Sequence, residues 1–272
     1  MTPLFNIRPI QVDFSNARLF IEIGEYGLSY YVLDETNTFS LVCIHQFADK
    51  LHAESSIRNI LYGDTIFKEK FRKIDIVYSF SESVLVPKEL SNAAANKEML
   101  ELVYGDFSDK VIRGDFMYKH TIQNVYRIPN SIDLLVNNLF AAANYNHLYS
   151  LLPDLAKSDR NEMYAIFSPN HIIVMLSKKG RLQVIQNFTY QTPEDAAYHL
   201  LNVCESFDAE RDQTSVVLTG MVDASSPLYA ELYKYFLQIE FNVLPDQFQY
   251  SEEVKTYPEH FFSHLFAIAT CV

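Results

Sequence analysis

The sequence predicts an α/β chain of two lobes, each a mixed sheet flanked by helices, built on a duplicated plan. Three observations predict it. The order strand, strand, strand, helix, strand occurs twice along the chain. The two occurrences are offset by 144 residues at the first strand and by 141 at the end of the third. The 272 residues, 49% of them hydrophobic, provide for two cores of about 130 residues each more comfortably than for one. Residue identity between the halves is slight, so the repeat is one of pattern.

From Arg18 the text RLFIEIG, LSYYVLD and FSLVCIHQF gives three β-rich segments. Polar punctuation at Gly24 to Gly27 and at Asp34 to Asn37 makes them a meander. SIRNILYGDTIFKEKFRK follows, with Ile57, Ile60, Leu61, Phe67 and Phe71 on one helical face and a basic end, as a helix C-terminus favours. A buried strand is expected from Ile74 to Phe80. The block NKEMLELVYGDFSDKVIRGDFMYKH reads as a small subdomain inserted at about 93–122, ahead of the strand NVYRIP and the helix SIDLLVNNLFAAA. The second meander is MYAIF, HIIVMLS and RLQVIQNF, with a hairpin signal at Lys178-Lys179-Gly180. Thr192 as N-cap, Pro193 at the first helical position and Glu194-Asp195 in the first turn then start a helix. Its apolar face is Ala197, Leu200, Leu201, Cys204 and Phe207, and the strand Ser215 to Gly220 follows. The division is expected near Ser158, giving a first lobe of 1–157 with the insert and a second of 158–272.

Composition excludes several function classes. Thirty-four acidic against 22 basic residues give a net charge of −12, whereas phosphate neutralisation needs clustered Lys and Arg, so no nucleic-acid partner is expected. No window approaches 18 uninterrupted apolar residues, and MTPLFNIRPIQVDFSN has no basic segment leading into an apolar run. No membrane span and a cytoplasmic location are therefore expected. Cys43, Cys204 and Cys271 sit in apolar patterns as small hydrophobes, without the close pairing of a disulfide framework or zinc site. His260 and His264 have the spacing that zinc helices use, but Phe261, Phe262 and Leu265 point to a packing helix and no third ligand is evident. Asp106, Asp109 and Asp115 lack the glycine and spacing of a calcium loop and read as a solvated turn. No G-x-S-x-G elbow, P-loop or G-x-G-x-x-G occurs. In the Tyr-rich helix SPLYAELYKYFLQIEF, Leu228, Leu232, Phe236 and Ile239 make a core stripe. That leaves Tyr229, Tyr233 and Tyr235 outside it as a candidate partner surface.

A duplicated unit of three meandering strands followed by alternating helices and strands resembles the actin-like ATPase (ASKHA) superfamily, whose lobes are ribonuclease H-like. The stretches IEIGEYGLSYYVL, Asn96 to His120, VVLTGMVDASSPLYAEL and PEHFFSHLFAIA look most like the pilus-assembly protein PilM and the cytoplasmic part of the secretion protein GspL. The whole chain is also similar to an uncharacterised Bacteroidetes domain-of-unknown-function family. In the superfamily the first hairpin reads Asp-x-Gly-[Ser/Thr], the Asp serving the metal and the turn's N–H groups holding phosphate. Here Glu22 stands at the Asp place, Gly24 is kept, and Glu25 replaces the hydroxyl. A carboxylate beside a phosphate repels it. The matching place in the second lobe reads Ile166-Phe167-Ser168-Pro169, with no carboxylate and one backbone donor fewer. The adenosine motif is reduced to Leu218-Thr219-Gly220-Met221, and the 7 glycines of the chain include no adjacent pair.

The resemblance thus implies a non-catalytic scaffold or adaptor of actin-like fold, with a vestigial nucleotide site at Glu22, Gly24, Glu25 and Gly220. No catalytic residue, metal or cofactor is expected. The partners implied are proteins, with a peripheral link to an envelope assembly. The alternative is an ATP-binding ASKHA protein with an atypical phosphate site, in which Glu22 and Glu25 would hold magnesium. A sugar or small-metabolite kinase would need a catalytic base, and none can be placed.

Overall fold

The computed structural model describes residues 2–9, 13–157 and 159–272. The chain divides into two compact units, Met1–Ser150 with Phe248–Val254, and Leu151–Gln247 with Lys255–Val272. Ser158, where the sequence places the division, lies outside the described residues.

In chain order the first strands are β1 (Phe5–Ile7), β2 (Arg18–Ile23), β3 (Gly27–Leu33), β4 (Thr38–Gln46) and β5 (Lys73–Tyr78), with helix α1 (Ala53–Gly63) before β5. Then come β6 (Ser83–Pro87), α2 (Ala93–Tyr104), β7 (Lys110–Met117), β8 (Ile122–Pro129), α3 (Asn130–Leu139), β9 (Asn144–His147) and the single turn α4 (Leu148–Leu151). The remaining elements are β10 (Asn161–Phe167), β11 (His171–Lys178), β12 (Arg181–Thr189), α5 (Pro193–Ser206), β13 (Thr214–Gly220), α6 (Pro227–Leu232), β14 (Ile239–Phe241), β15 (Gln249–Tyr250) and α7 (Ser263–Ile268).

The main sheet of the first unit has the order β1-β4-β3-β2-β5-β9, with β15 also on β4. β2, β3 and β4 are the antiparallel meander, while β5 and β9 run parallel to β2. Because side chains alternate along a strand, Leu19, Ile21 and Ile23 face one side and join Ile57, Ile60 and Leu61 of α1 and Ile132, Leu135 and Val136 of α3 in one core. Phe20 and Tyr31 stack with Phe39 on the other side, where Phe248 meets Phe39 at 4.9 Å between ring centroids. β6, β8 and β7 form a separate antiparallel sheet. Leu100 of α2 packs on that sheet with Val86 and Val125. This sheet draws in strands on both sides of the 93–122 block.

The second unit has the order β12-β11-β10-β13-β14, antiparallel at the first two joints and parallel at the last two. That is the order β4-β3-β2-β5-β9 over again. β13 is buried along its whole length, as a central strand covered on both faces must be. α5 starts as its sequence dictates, with a capping box in which the Thr192 side chain accepts from the Asp195 N–H and Asp195 accepts from the Thr192 N–H. The turn joining β11 to β12 has φ of 49° at Lys179 and 73° at Gly180, the backbone of a type I′ hairpin.

Three expected helices are shorter than the apolar spacing suggests. α1 ends at Gly63 because Asp64 is extended, φ −88° and ψ 129°. The Asp64 carboxylate engages Arg8 and the Tyr30 hydroxyl and caps the Ile66 N–H at 3.1 Å. Phe67 and Phe71 still pack against the core, but from the turns that follow. α6 stops at Leu232, and Ile239 lies on β14, not on a helical stripe. In the closing segment, a short 3-10 turn (Glu259–Phe261) precedes α7, so His260 and His264 do not share one continuous helix.

Candidate functional site

The first hairpin turn, Gly24 to Gly27, lies beside the run Ser79-Phe80-Ser81 that leaves β5. The Ser79 N–H donates to the Ile23 carbonyl at 2.8 Å and the Gly24 N–H donates to the Gly27 carbonyl at 3.1 Å. A Cβ on Gly24 would meet Ser79 Oγ at 2.4 Å and the Ser79 carbonyl at 3.0 Å, so a side chain there would press on both the hydroxyl and the main chain of Ser79. Glu25 is buried. Its carboxylate accepts from the Ser81 N–H at 3.1 and 3.2 Å and from the Ser81 hydroxyl, with Lys50 Nζ at 3.4 Å. Lys50 also stands 4.7 Å from the centroid of the Tyr26 ring. The donors that an incoming anion would use on Ser81 are thus satisfied by a carboxylate of the chain itself.

Glu22 is the next-to-last residue of β2, opposite Ser29 on β3 and Val77 on β5. The residue as a whole is half-buried, while its Oε2 is sheltered from solvent and has no hydrogen-bond partner. Burial pushes the carboxyl up from 4.5 to about 7, and a hydrogen bond from Ser79 offsets part of that rise. Burial there favours the neutral, protonated form.

Gly220 belongs to the second unit, at the end of β13. Its φ is +80°, and an added Cβ would lie 2.2 Å from the Phe167 carbonyl oxygen. That carbonyl accepts the Met221 N–H at 2.7 Å. The neighbouring turn closes through the Ser168 N–H on the His171 carbonyl at 2.9 Å, and the Tyr190 hydroxyl donates to the Ser168 carbonyl at 2.6 Å. Thr219 donates to the His260 carbonyl at 2.8 Å and lies 2.9 Å from Ser263 Oγ and 3.2 Å from His264 Nδ1. Burial lowers both histidines, His264 to about 4. His260 donates from Nε2 to the Val222 carbonyl at 2.6 Å. Both imidazoles therefore serve the junction of β13 with the C-terminal segment. Among the described residues no group of three His, Cys, Asp or Glu side chains is placed to hold a metal ion.

Of the sequence-derived site residues, the structure brings Glu22, Gly24 and Glu25 around Ser79 and Ser81, and places Gly220 in the other unit. Tyr229 is half-buried, its ring stacked on Phe241 at 5.3 Å, while Tyr233 and Tyr235 are exposed. Asp115 is not on a solvated turn. It lies on β7 and accepts from the His147 N–H at 2.6 Å, Ser150 Oγ at 2.8 Å and the Tyr126 hydroxyl at 3.1 Å, and its burial pushes its carboxyl up. Sequence reasoning missed Ser79, Ser81 and Lys50. The hydroxyl-rich run Ser79 to Ser83 just past a buried strand was the available signal. It also missed a cavity of about 720 Å³ in the first unit, between α1 and the small sheet, lined by Glu25, Lys50, Leu51, Arg58, Glu82 and Arg127. Arg127 is nearly fully buried there, donating to Glu82 at 2.6 Å and to the Gly105 and Tyr104 carbonyls at 2.9 and 3.0 Å, with Lys110 on the same carboxylate.

The family described as protein of unknown function, DUF3822, has a model that matches residues 11–239. The chain belongs to that family. A Bacteroides thetaiotaomicron protein with actin-like ATPase fold and unknown function superposes with a TM-score of 0.79 at 17% identity, over 96% of this chain and all of that one. The fold is therefore that of the actin-like ATPases. PilM in the PilM–PilN type IV pilus biogenesis complex is similar over 95% of this chain and 97% of its own, with a TM-score of 0.56 at 13% identity. The cytoplasmic domain of EpsL, an inner membrane component of the type II secretion system of Vibrio cholerae, covers 92% of this chain and all of its own, with a TM-score of 0.48 at 11% identity. None of the curated proteins matches the chain. Among the described residues no helix is long and apolar enough to cross a membrane.

Proposed function

We propose that this DUF3822 protein is a non-catalytic adaptor of the cytoplasm that kept the actin-like frame, lost nucleotide chemistry, and binds other proteins. One observation carries the reading. The Glu25 carboxylate takes the Ser81 N–H and hydroxyl, so the turn holds its own anion where a phosphate would be expected.

The residues present do not fit a magnesium nucleotide. Glu25 is engaged by Ser81 and Lys50, and Glu22 would first have to give up a proton that burial favours. Pro169 offers no N–H, and the Met221 N–H is spent on Phe167. For partner binding, the cavity beside the small sheet combines exposed Leu51 with charged walls, and Tyr233 and Tyr235 present aromatic area on the second unit. The PilM–PilN complex supports a protein-binding role for a chain of this fold.

Thermal unfolding with Mg-ATP, with Mg-ADP and without nucleotide tests the reading. All three midpoints should coincide, whereas a ligand at a hundred times its Kd adds ~2.7 kcal/mol, or about 5 °C for a chain of this length. Stabilisation by ATP that Glu25→Ala abolishes would overturn the adaptor reading in favour of an atypical ATP site.

A further inference from the structure

The second unit carries a groove that shares only Tyr235 with the surfaces named so far. We propose that it docks a basic amphipathic segment of a partner protein, an assignment that rests on the adaptor reading. The groove, about 980 Å³, lies between the C-terminal half of α5, the loop from Ala209 to Asp212, and the stretch from Lys234 to Leu237.

Its floor is apolar, made by Leu201, Cys204 and Ala209 with Tyr235. At its lip Leu237 is 78% exposed. A side chain of that size standing in water beside an apolar floor gains by being covered. The rim is acidic. Glu205 and Asp212 have no ion-pair partner among the described residues, Glu210 accepts from Gln213, and Lys234 is neutralised by buried Glu231. Among the residues that line the groove, Arg211 alone remains on the positive side. A partner segment that offered leucines to the floor and lysines or arginines to the rim would match both parts.

The walls are fixed before any partner arrives. Gln238 Nε2 donates to the Asp212 carbonyl at 2.9 Å and the Val216 N–H to the Gln238 carbonyl at 2.7 Å, which ties the two sides at one end. Lys178 Nζ donates to the Phe207 and Asp208 carbonyls at 3.0 and 3.2 Å, which fixes the turn after α5. A preformed groove loses little conformational freedom on binding.

The test titrates the full chain with a fluorescent amphipathic helix of leucine and lysine, about 18 residues or five turns long, and with its leucine-glutamate counterpart. The leucine-lysine peptide should bind saturably, and Leu237→Ser and the pair Glu205→Gln with Asp212→Asn should each weaken it at least about tenfold. Hydrogen exchange should slow at 201–212 and 233–238. All three substitutions are on exposed side chains, and circular dichroism checks that the variants fold. Equal affinity in the variants, protection elsewhere, or equal binding of the leucine-glutamate peptide would overturn the proposal. So would a concentration-dependent dimer that Leu237→Ser dissolves, which would give the groove to a second copy of the chain. Nucleotide stabilisation decides the adaptor reading separately, so a peptide that fails to bind a nucleotide-silent protein removes the groove assignment alone.

Discussion

Replacing Glu22 by glutamine is expected to stabilise the first unit, and to do so only above the acid range. Burial raises the Glu22 carboxyl from 4.5 to about 7. Between those values the unfolded chain has released the proton while the folded chain keeps it. The stability contributed by neutral Glu22 is therefore complete below pH 4.5 and is lost as pH rises through 7. A rise of that size corresponds to roughly 3 kcal/mol. About 2–3 kcal/mol of it should be lost between pH 5 and pH 8. Glutamine has nearly the same shape, can accept the same hydrogen bond from Ser79, and does not ionise. It should match the wild type closely near pH 5 and exceed it by ~2–3 kcal/mol at pH 8, about 4 °C in midpoint.

Buried histidines act in the opposite sense and must be separated from this, His147 and His264 most strongly. Burial depresses His147 to about 3 and His264 to about 4 from 6.5. Their stability is present above pH 6.5 and is lost as pH falls towards those values. Both chains carry these histidines, so the difference between wild type and Glu22→Gln at each pH isolates Glu22. Urea unfolding followed by hydrogen exchange at β2 and β5 reads the first unit alone. Stability curves that run parallel from pH 5 to pH 8, or a glutamine variant weaker at pH 8, would refute the reasoning. Either result would mean that the buried oxygen has a partner favouring its charged form.

Gly220→Ala should cost at least ~3 kcal/mol in urea unfolding of the second unit, since both its φ of +80° and the Phe167 carbonyl 2.2 Å from the new Cβ oppose it. Thr192→Ala should cost about 1–2 kcal/mol and Thr192→Ser only a few tenths, because the capping oxygen on the Asp195 N–H survives in serine.

The parts of the fold that the sequence made legible are those set by neighbours in the chain. Alternation along RLFIEI and its two successors marks the first meander, and Thr192-Pro193-Glu194-Asp195 marks the start of α5. What was illegible depended on contacts far apart in sequence. Asp64 ends α1 through Arg8 and Tyr30, 56 and 34 residues away. Asp115 looked like a turn residue because its partners, His147 and Ser150, come from a strand and helix more than thirty residues later. β15 is two residues long and exists only because Gln249 and Tyr250 find the edge of β4. In the candidate site, Glu22, Gly24 and Glu25 were singled out by the resemblance of the first hairpin to Asp-x-Gly-[Ser/Thr]. Their partner Ser81 was not, since 56 residues separate it from Glu25.

On the adaptor reading, the two hairpins are ligand turns retired without loss of the frame. Ser168 follows Gly24, and His171 follows Gly27, by the same 144 residues, and each pair makes the same closing hydrogen bond, at 2.9 and 3.1 Å. Beside each turn, the first residue past the parallel strand donates to the end of the first meander strand, Ser79 to Ile23 and Met221 to Phe167. The bonds that hold the duplicated frame are thus internal to it. A turn adapted to phosphate keeps donors pointing at open space, and a buried donor left unpaired costs about 1–3 kcal/mol. On the adaptor reading, Glu25 satisfies the donors on Ser81 in the first unit, whereas Pro169 removes one in the second. Two unlike changes that each take donors away from an incoming anion fit a chain whose fold stopped depending on nucleotide.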